Sequence, residues 1–525
     1  MSDYVIGANI LENLTTGMYQ DSKVVFREYI QNACDQIDKA LRQGILGPGE
    51  GAIHIWTELN NRTICIEDNA TGIPADRFRD TLGNIADSDK KIGEDKGFRG
   101  IGRLCGLAYC SELVFESSAK GETVESRMIC DAEKMRELLS ENGRGRKYTA
   151  NEVLHAINRF EIKDGIDPDS HYFRVILRGI NKENTELLES SHVKDYLSFV
   201  APVPYQSQFL YRGKIYEHAE SLGVRLDEYQ VMVNGESIFK KYTSVLKDTG
   251  GIDKYDDIWD VYCQDFFDSK GFLIAWMWVG VSSFKKAIPK VNLMRGLRLR
   301  KDNIQIGGED ALQDLFKEDR GNSYFVGEVH AVSRELIPNS QRNYFNENPA
   351  RAEFERVLKK FFNDELHKTY YTGSSVNSAC KKFQSYERLA AEFEHKEASG
   401  LFVDSEHRER ELAIVDELRT EADKARQQID KLREKCAASD LVKAVLDRVE
   451  KIPARPIDGR LPCDGRVATA EEPSDKPKMQ RRVDRLSKLN KAERKLVSRI
   501  FNLITKATDR DTADKIICAI EEEYK

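Results

Sequence analysis

Glu28, Asn32 and Asp35 recur at i, i+4 and i+7, so a helix would carry all three on one face. A carboxylate one turn from a carboxamide suits a water-activating base beside an oxygen ligand for Mg²⁺. A second segment runs Glu67-Asp68-Asn69-Ala70-Thr71-Gly72-Ile73-Pro74. Its carboxylate, at a strand end, could accept a hydrogen bond from an exocyclic amine such as that of adenine. Gly72 would let backbone come close to the base. A third, Gly97-Phe98-Arg99-Gly100-Ile101-Gly102-Arg103, sets three glycines before the apolar helix start Leu104–Ala108. Backbone N–H groups in such a turn can cradle phosphates. Far downstream, Leu336-Ile337-Pro338-Asn339-Ser340-Gln341-Arg342 offers an arginine that could reach a γ-phosphate from a second domain. No GxxxxGK[ST] run exists, so a nucleotide would depend on this other cradle. Each segment alone also has a plainer reading, as a solvated helix stripe, a polar turn or a surface arginine.

The elements that must place these groups are legible. Phe26, Ile30, Ala33, Ile37 and Leu41 form an apolar stripe roughly opposite the Glu28 face, predicting a helix over 22–42. Ala52–Glu58 and Thr63–Glu67 read as paired strands joined at Asn60-Asn61. Pro74 opens a further helix. Leu113–Ser117, Val124–Cys130 and His171–Ile180 read as strands, and Phe272–Val281 as a buried strand or a core segment. Asn84–Lys96 has few large apolar residues, as a mobile lid would.

The chain has 525 residues and a net charge of −7, from 81 basic and 88 acidic residues, which argues against a protein that coats DNA globally. No apolar run is long enough to cross a bilayer, and Met1-Ser2-Asp3-Tyr4 does not resemble a secretory signal. Ten cysteines without a CxxC pair support neither a zinc site nor a disulfide framework, so a cytoplasmic location is expected. The expected organisation is a first domain of mixed helices and strands over 1–200 and an α/β domain over 201–350. A charged helical region follows over 351–451, then a Pro-rich linker over 452–480 and a small helical unit over 481–525. Val415, Leu418, Ala422, Ala425, Ile429, Leu432 and Cys436 form a heptad seam, for a coiled coil or for packing within the chain. Between Asp475 and Arg510, 12 Lys and Arg face four acids, a net of +8 that could meet DNA.

Taken in order, the four segments resemble the GHKL (Bergerat-fold) ATPases. Leu82-Gly83-Asn84-Ile85-Ala86-Asp87-Ser88 is similar to the lid of the ninety-kilodalton heat-shock chaperones, and Leu336–Arg342 resembles their middle-domain loop. Arg295–Lys301 resembles a transducer-type segment. The resemblance implies an α+β chain: a Bergerat α/β sandwich, a transducer-like middle domain and a helical, partly coiled-coil C-terminal region. It implies ATP and Mg²⁺ as ligands. Glu28 would activate water and Arg342 sense the γ-phosphate. Asn32 would hold Mg²⁺. Asp35, Asp68, Gly72, Ile73, Asn84, Gly97, Phe98, Arg99, Gly100, Ile101 and Gly102 would line the nucleotide. It further implies slow hydrolysis, lid closure, a homodimer and a protein client, with no membrane role. Two other readings are an ATP-gated DNA clamp like the MORC and MutL proteins and a nucleotide-gated scaffold that does not hydrolyse. The sequence departs from the pattern in three places. Ala70 stands at the first glycine position of the adenine box, no Gly-Thr pair occurs near His171–Val175, and the chaperones' C-terminal dimerisation domain is not recognisable.

Overall fold

The computed structural model describes residues 5–15, 17–18, 21–85, 96, 100–247, 254–284, 286–435, 439–450, 486 and 488–524. The fold is α+β. The chain divides into two compact units, Met1–Ser282 with Lys286–His367, and Ser283–Lys285 with Lys368–Lys525.

The first unit opens with α1 (Asn9–Leu14) and α2 (Val24–Arg42), followed by the hairpin β1 (Ala52–Glu58) and β2 (Thr63–Asp68). Next come α3 (Ala75–Gly83), β3 (Glu112–Ser118), β4 (Val124–Asp131), α4 (Ala132–Gly143), α5 (Ala150–Ile157), β5 (Asn158–Asp164) and β6 (Tyr172–Arg178). After α6 (Ser190–Val200) and α7 (Arg212–Ser221), the short strands β7 (Gln230–Val233) and β8 (Glu236–Ser237) complete an eight-stranded sheet. Its order is β5-β4-β3-β6-β2-β1-β7-β8, and all pairs are antiparallel except β1 with β7.

Alternation sets which face of this sheet is buried. Ile53, Ile55, Ile64, Ile66, Leu113, Phe115, Val175 and Leu177 point into one core with Phe26, Ile30, Ala33 and Ile37 of α2. The apolar stripe of α2 thereby lies against the sheet, and Glu28 and Asp35 on its other face are buried as well. The same alternation puts Glu67, Glu116 and Arg174 on the other face. There Arg174 bonds Glu67 at 2.6 Å and Glu116 at 2.8 Å.

A pair of short strands follows, β9 (Val245–Lys247) with β10 (Lys254–Asp257). A second sheet holds β11 (Asp260–Phe267), β12 (Leu273–Val281), β13 (Gly296–Lys301), β14 (Ile304–Ile306) and β15 (Val326–Ala331) in the order β11-β12-β15-β13-β14. The unit's last long helix is α8 (Pro349–Phe361), capped by the Asn348 side chain on Arg351 N–H.

Within the second sheet lies a buried ionic cluster. Glu328 on β15 is fully buried. It meets Arg300 Nε at 2.6 Å, Lys240 Nζ at 3.1 Å and His330 Nε2 at 3.1 Å. It also accepts from Tyr205 Oη at 2.5 Å and Tyr242 Oη at 3.0 Å. Burial alone would raise its pKa, but Arg300 and Lys240 outweigh that and hold the carboxyl well below the usual range.

The second unit is helical: α9 (His367–Ala398), α10 (Ser405–Lys435), α11 (Asp440–Glu450), α12 (Lys491–Ala507) and α13 (Arg510–Tyr524). Val415, Leu418 and Ala422 of the heptad seam pack with Tyr386, Ala390 and Phe393 of α9, inside the same chain. Ala425 and Ile429 are also buried, and Cys436 lies outside the described residues. Among the described residues no helix is long and apolar enough to cross a membrane.

Candidate functional site

Three elements converge beside the N-terminal half of α2. Glu28 is buried, and its Oε2 abuts Gly102 so closely that a Cβ on that glycine would sit 2.4 Å away. Any side chain at position 102 would therefore push the carboxylate aside. Glu28 Oε1 accepts no hydrogen bond. It instead faces two guanidinium groups, with Arg342 Nε at 3.5 Å and Arg27 Nε at 3.8 Å. The arginine from 314 positions downstream thus reaches the helix face expected to do chemistry.

Arg342 is held there by its backbone as well as its charge. Its φ is +53°, a left-handed conformation that costs a non-glycine residue about 1 kcal/mol. Its N–H donates to Asn339 O at 3.1 Å, and its carbonyl accepts from Gly307 N–H at 2.8 Å. Arg27 holds the same loop from α2, donating to Gln341 O at 3.0 Å and Arg342 O at 3.5 Å.

Asn32 and Asp35 lie on the same face of α2, Asn32 half-buried and Asp35 buried. Asp35 Oδ1 accepts the N–H of Lys96 at 2.8 Å. The Lys96 ammonium reaches Asp38 at 2.7 Å and Asp227 at 3.0 Å, and its carbonyl accepts from Arg342 Nη2 at 2.7 Å. Burial opposes the charge on Lys96, but Tyr229, Asp227 and Asp38 outweigh it and hold its pKa above the ordinary lysine value.

Asp68 ends β2, registered between Ile53 of β1 and Phe173 of β6. It is buried, and its Oδ1 accepts the N–H of Ala70 at 3.1 Å. Ala70 is absent from the positive-φ positions, so alanine fits there without backbone strain. Gly72 has φ +63°, and a Cβ would lie 2.0 Å from the Ser118 carbonyl oxygen, so the turn admits only glycine. Ile73 donates its N–H to Ser117 Oγ at 2.7 Å, and His171 Nδ1 lies 2.6 Å from Ala70 O. Ser117 and His171 therefore brace the turn where no Gly-Thr pair occurs.

Asn84 follows α3, and its carbonyl accepts from Arg103. Gly100 has φ +67°, and Ile101 precedes a short 3₁₀ stretch, Gly102–Ala108. Gly97, Phe98 and Arg99 lie outside the described residues, as does most of the expected lid. The structure thus brings together Glu28, Asn32, Asp35, Gly102 and Arg342, with Asp68 and Gly72 on the strand end and turn that follow β2. Sequence reasoning missed Arg27, Lys96, Asp38, Asp227 and Ser117. Arg27, next to Glu28, was the nearest to a legible signal.

Residues 20–158 match the family model described as "Histidine kinase-, DNA gyrase B-, and HSP90-like ATPase". This segment, with β1 to β4 and α2, is similar to the ATP-site domains that the family description names. The chain is also similar to the chaperone protein HtpG of Enterobacter sp. (strain 638), 22% identical over 277 residues, 49% of this chain and 39% of that protein. Shorter matches join it to HtpG of Acinetobacter baylyi, 29% identical over 132 residues, 22% of this chain and 21% of that one. HtpG of Escherichia coli (strain K12) is 27% identical over 141 residues, 23% of each chain. The alignments span well under half the length of these curated relatives.

Proposed function

We propose that the chain is a Mg-ATP-dependent conformational switch that hydrolyses ATP slowly and remodels a protein partner in a chaperone-like way. The observation that carries this reading is Arg342, delivered to within 3.5 Å of Glu28 from a distant segment. Such an arginine can register a γ-phosphate, and ADP offers none. In this reading Asp68 reads the adenine amine, Gly72 lets backbone close on the base, and Gly100, Ile101 and Gly102 pass beside the phosphates. Glu28 takes the proton of the attacking water once Arg342 has exchanged the carboxylate for phosphate oxygen. Asp35 and Asn84 border the pocket. Slow turnover follows when closure, not bond breaking, limits the rate.

The residues present fit a magnesium ion. No group of three His, Cys, Asp or Glu forms a metal cage among the described residues. Mg²⁺ needs none, because it keeps waters and takes one or two protein oxygens beside phosphate. Asn32 would be that protein ligand, and the ion would supply charge neutralisation across the phosphates.

A homodimer acting on a protein in the cytoplasm is the favoured setting. Cys34, Cys65, Cys105, Cys110, Cys130 and Cys263 are free thiols, in keeping with a reducing compartment. The described part of the basic 475–510 stretch also presents Leu496, Ile500 and Leu503 on the surface of α12, exposed by 59%, 40% and 66%. A phosphate backbone offers nothing to such a stripe, whereas a protein surface does. Salt-sensitive DNA retention that requires residues 475–510 would favour the clamp reading instead. The functional test is Arg342→Ala. ATP turnover is expected to fall at least about tenfold while ADP affinity stays within about threefold. Equal loss of both would overturn the assignment.

A further inference from the structure

Lys96 joins α2, the segment entering β7 and the Arg342 loop. Its ammonium, 9% exposed, sits between Asp38 of α2 and Asp227 of the segment entering β7. Tyr229 packs its ring 5.4 Å from that ammonium and donates its hydroxyl to Asp38 at 2.8 Å. With the side chain pinned at two carboxylates, the Lys96 backbone has little freedom. Its N–H is directed at Asp35 and its carbonyl at Arg342. The Arg342 guanidinium is consequently shared, with Nη2 on the Lys96 carbonyl and Nε beside Glu28.

The anchor continues into the second sheet's ionic cluster. Asn303 Nδ2 donates to the Asp227 carbonyl at 2.7 Å, and Asn303 Oδ1 accepts from Lys240 Nζ at 2.7 Å. Lys240 in turn pairs with Glu328. A contiguous set of short polar contacts therefore runs from Glu328 through Lys240, Asn303, Asp227 and Lys96 to Arg342 and Glu28. Contiguity alone is not coupling, and the link that bears on the site is the one from Lys96 to Arg342.

We infer that Lys96 is a positioning residue for Arg342: the Asp38–Lys96–Asp227 bridge fixes the Lys96 carbonyl, and that carbonyl sets where the Arg342 guanidinium stands relative to Glu28. The inference rests on the ATPase reading for its catalytic consequence, but its geometric content does not. A bare charge effect would act through the ammonium alone. Here the ammonium acts through the backbone it immobilises, so an arginine able to span the same two carboxylates would serve in its place.

The test uses the full chain as wild type, Lys96→Met, Lys96→Arg and Asp227→Asn. Hydrogen exchange without nucleotide reads the Arg342 and Gly307 amides, which are bonded within the Arg342 loop. Lys96→Met is expected to speed their exchange about tenfold, Asp227→Asn to speed it less, and Lys96→Arg to restore protection. In ATP turnover, Lys96→Met is expected to lower kcat about tenfold with KM within about threefold, and to add no further loss in an Arg342→Ala background. Unchanged loop exchange in folded Lys96→Met overturns the inference. So does a loss of kcat that persists in full when Arg342 is already absent. If loop exchange responds as expected but wild type does not turn over ATP, the positioning link stands and the ATPase reading falls.

Discussion

Replacing Glu28 by Gln is expected to lower ATP turnover at least about 100-fold while ATP affinity stays within about threefold. The substitution keeps the side chain's shape, which matters because Gly102 leaves it no room to move. It removes the ability to take a proton and the negative charge. The guanidinium groups of Arg342 and Arg27 lie 3.5 and 3.8 Å from Glu28 Oε1, so the variant also weakens two ion pairs. Those pairs are made in the nucleotide-free arrangement, and their loss should not reduce binding. Phosphate release beside a nucleotide titration checks both parts. Turnover within about threefold of wild type would remove Glu28 from the mechanism and favour a scaffold that uses ATP without this base.

The largest stability effect is expected at Glu328. Its carboxylate is surrounded by Arg300, Lys240 and His330, all buried. Glu328→Gln leaves buried Arg300 without its counter-charge and drives Lys240, whose pKa burial already lowers to about 7, towards its neutral form, which together costs about 3–5 kcal/mol. Trp278 donates its Nε1–H to Tyr205 Oη at 3.0 Å, so tryptophan fluorescence follows this cluster through a denaturant titration. A loss below about 1 kcal/mol would mean the cluster is far wetter than its burial implies. The pH dependence has a defined sign. Burial lowers the His330 pKa to about 4, so the folded state stays neutral where the unfolded imidazole, near 6.5, takes up a proton. Stability should fall as pH drops from about 6.5 towards 4. Glu328, held well below the usual carboxylate range, adds to that fall once pH passes below the value of an unfolded glutamate.

Much of the site was legible because its signals are local. The strand reading over Ala52–Glu58 coincides with β1, since alternation and a polar turn act within a few residues. The shared face of Glu28, Asn32 and Asp35 follows from helical spacing alone. Gly72 was singled out for close approach, and Ser118, whose carbonyl fills the space beside it, is far away in sequence. What could not be read depends on tertiary pairing. Lys96 sits in a polar stretch where a lysine ordinarily looks solvated, and its partners are 58 and 131 residues away, Asp38 and Asp227. β7 is four residues long and joins β1 in parallel, a contact no periodicity announces. Arg298 and Arg300 alternate with Leu297 and Leu299 along β13, yet both arginines are buried too. Their face is covered by chain that the local pattern does not see.

The measurement that bears most directly on the central claim is calorimetric titration of the full chain with Mg-ATP, for wild type and Asp68→Asn. Asn keeps the side chain's shape and can still accept from Ala70, but it presents an N–H₂ group where the carboxylate would meet an adenine amine. Wild type is expected to bind one ATP per chain and the variant to bind at least about 20-fold more weakly, the ~2 kcal/mol of a charge-assisted hydrogen bond. No binding by folded wild-type chain, or equal affinity in the two proteins, would contradict the central claim.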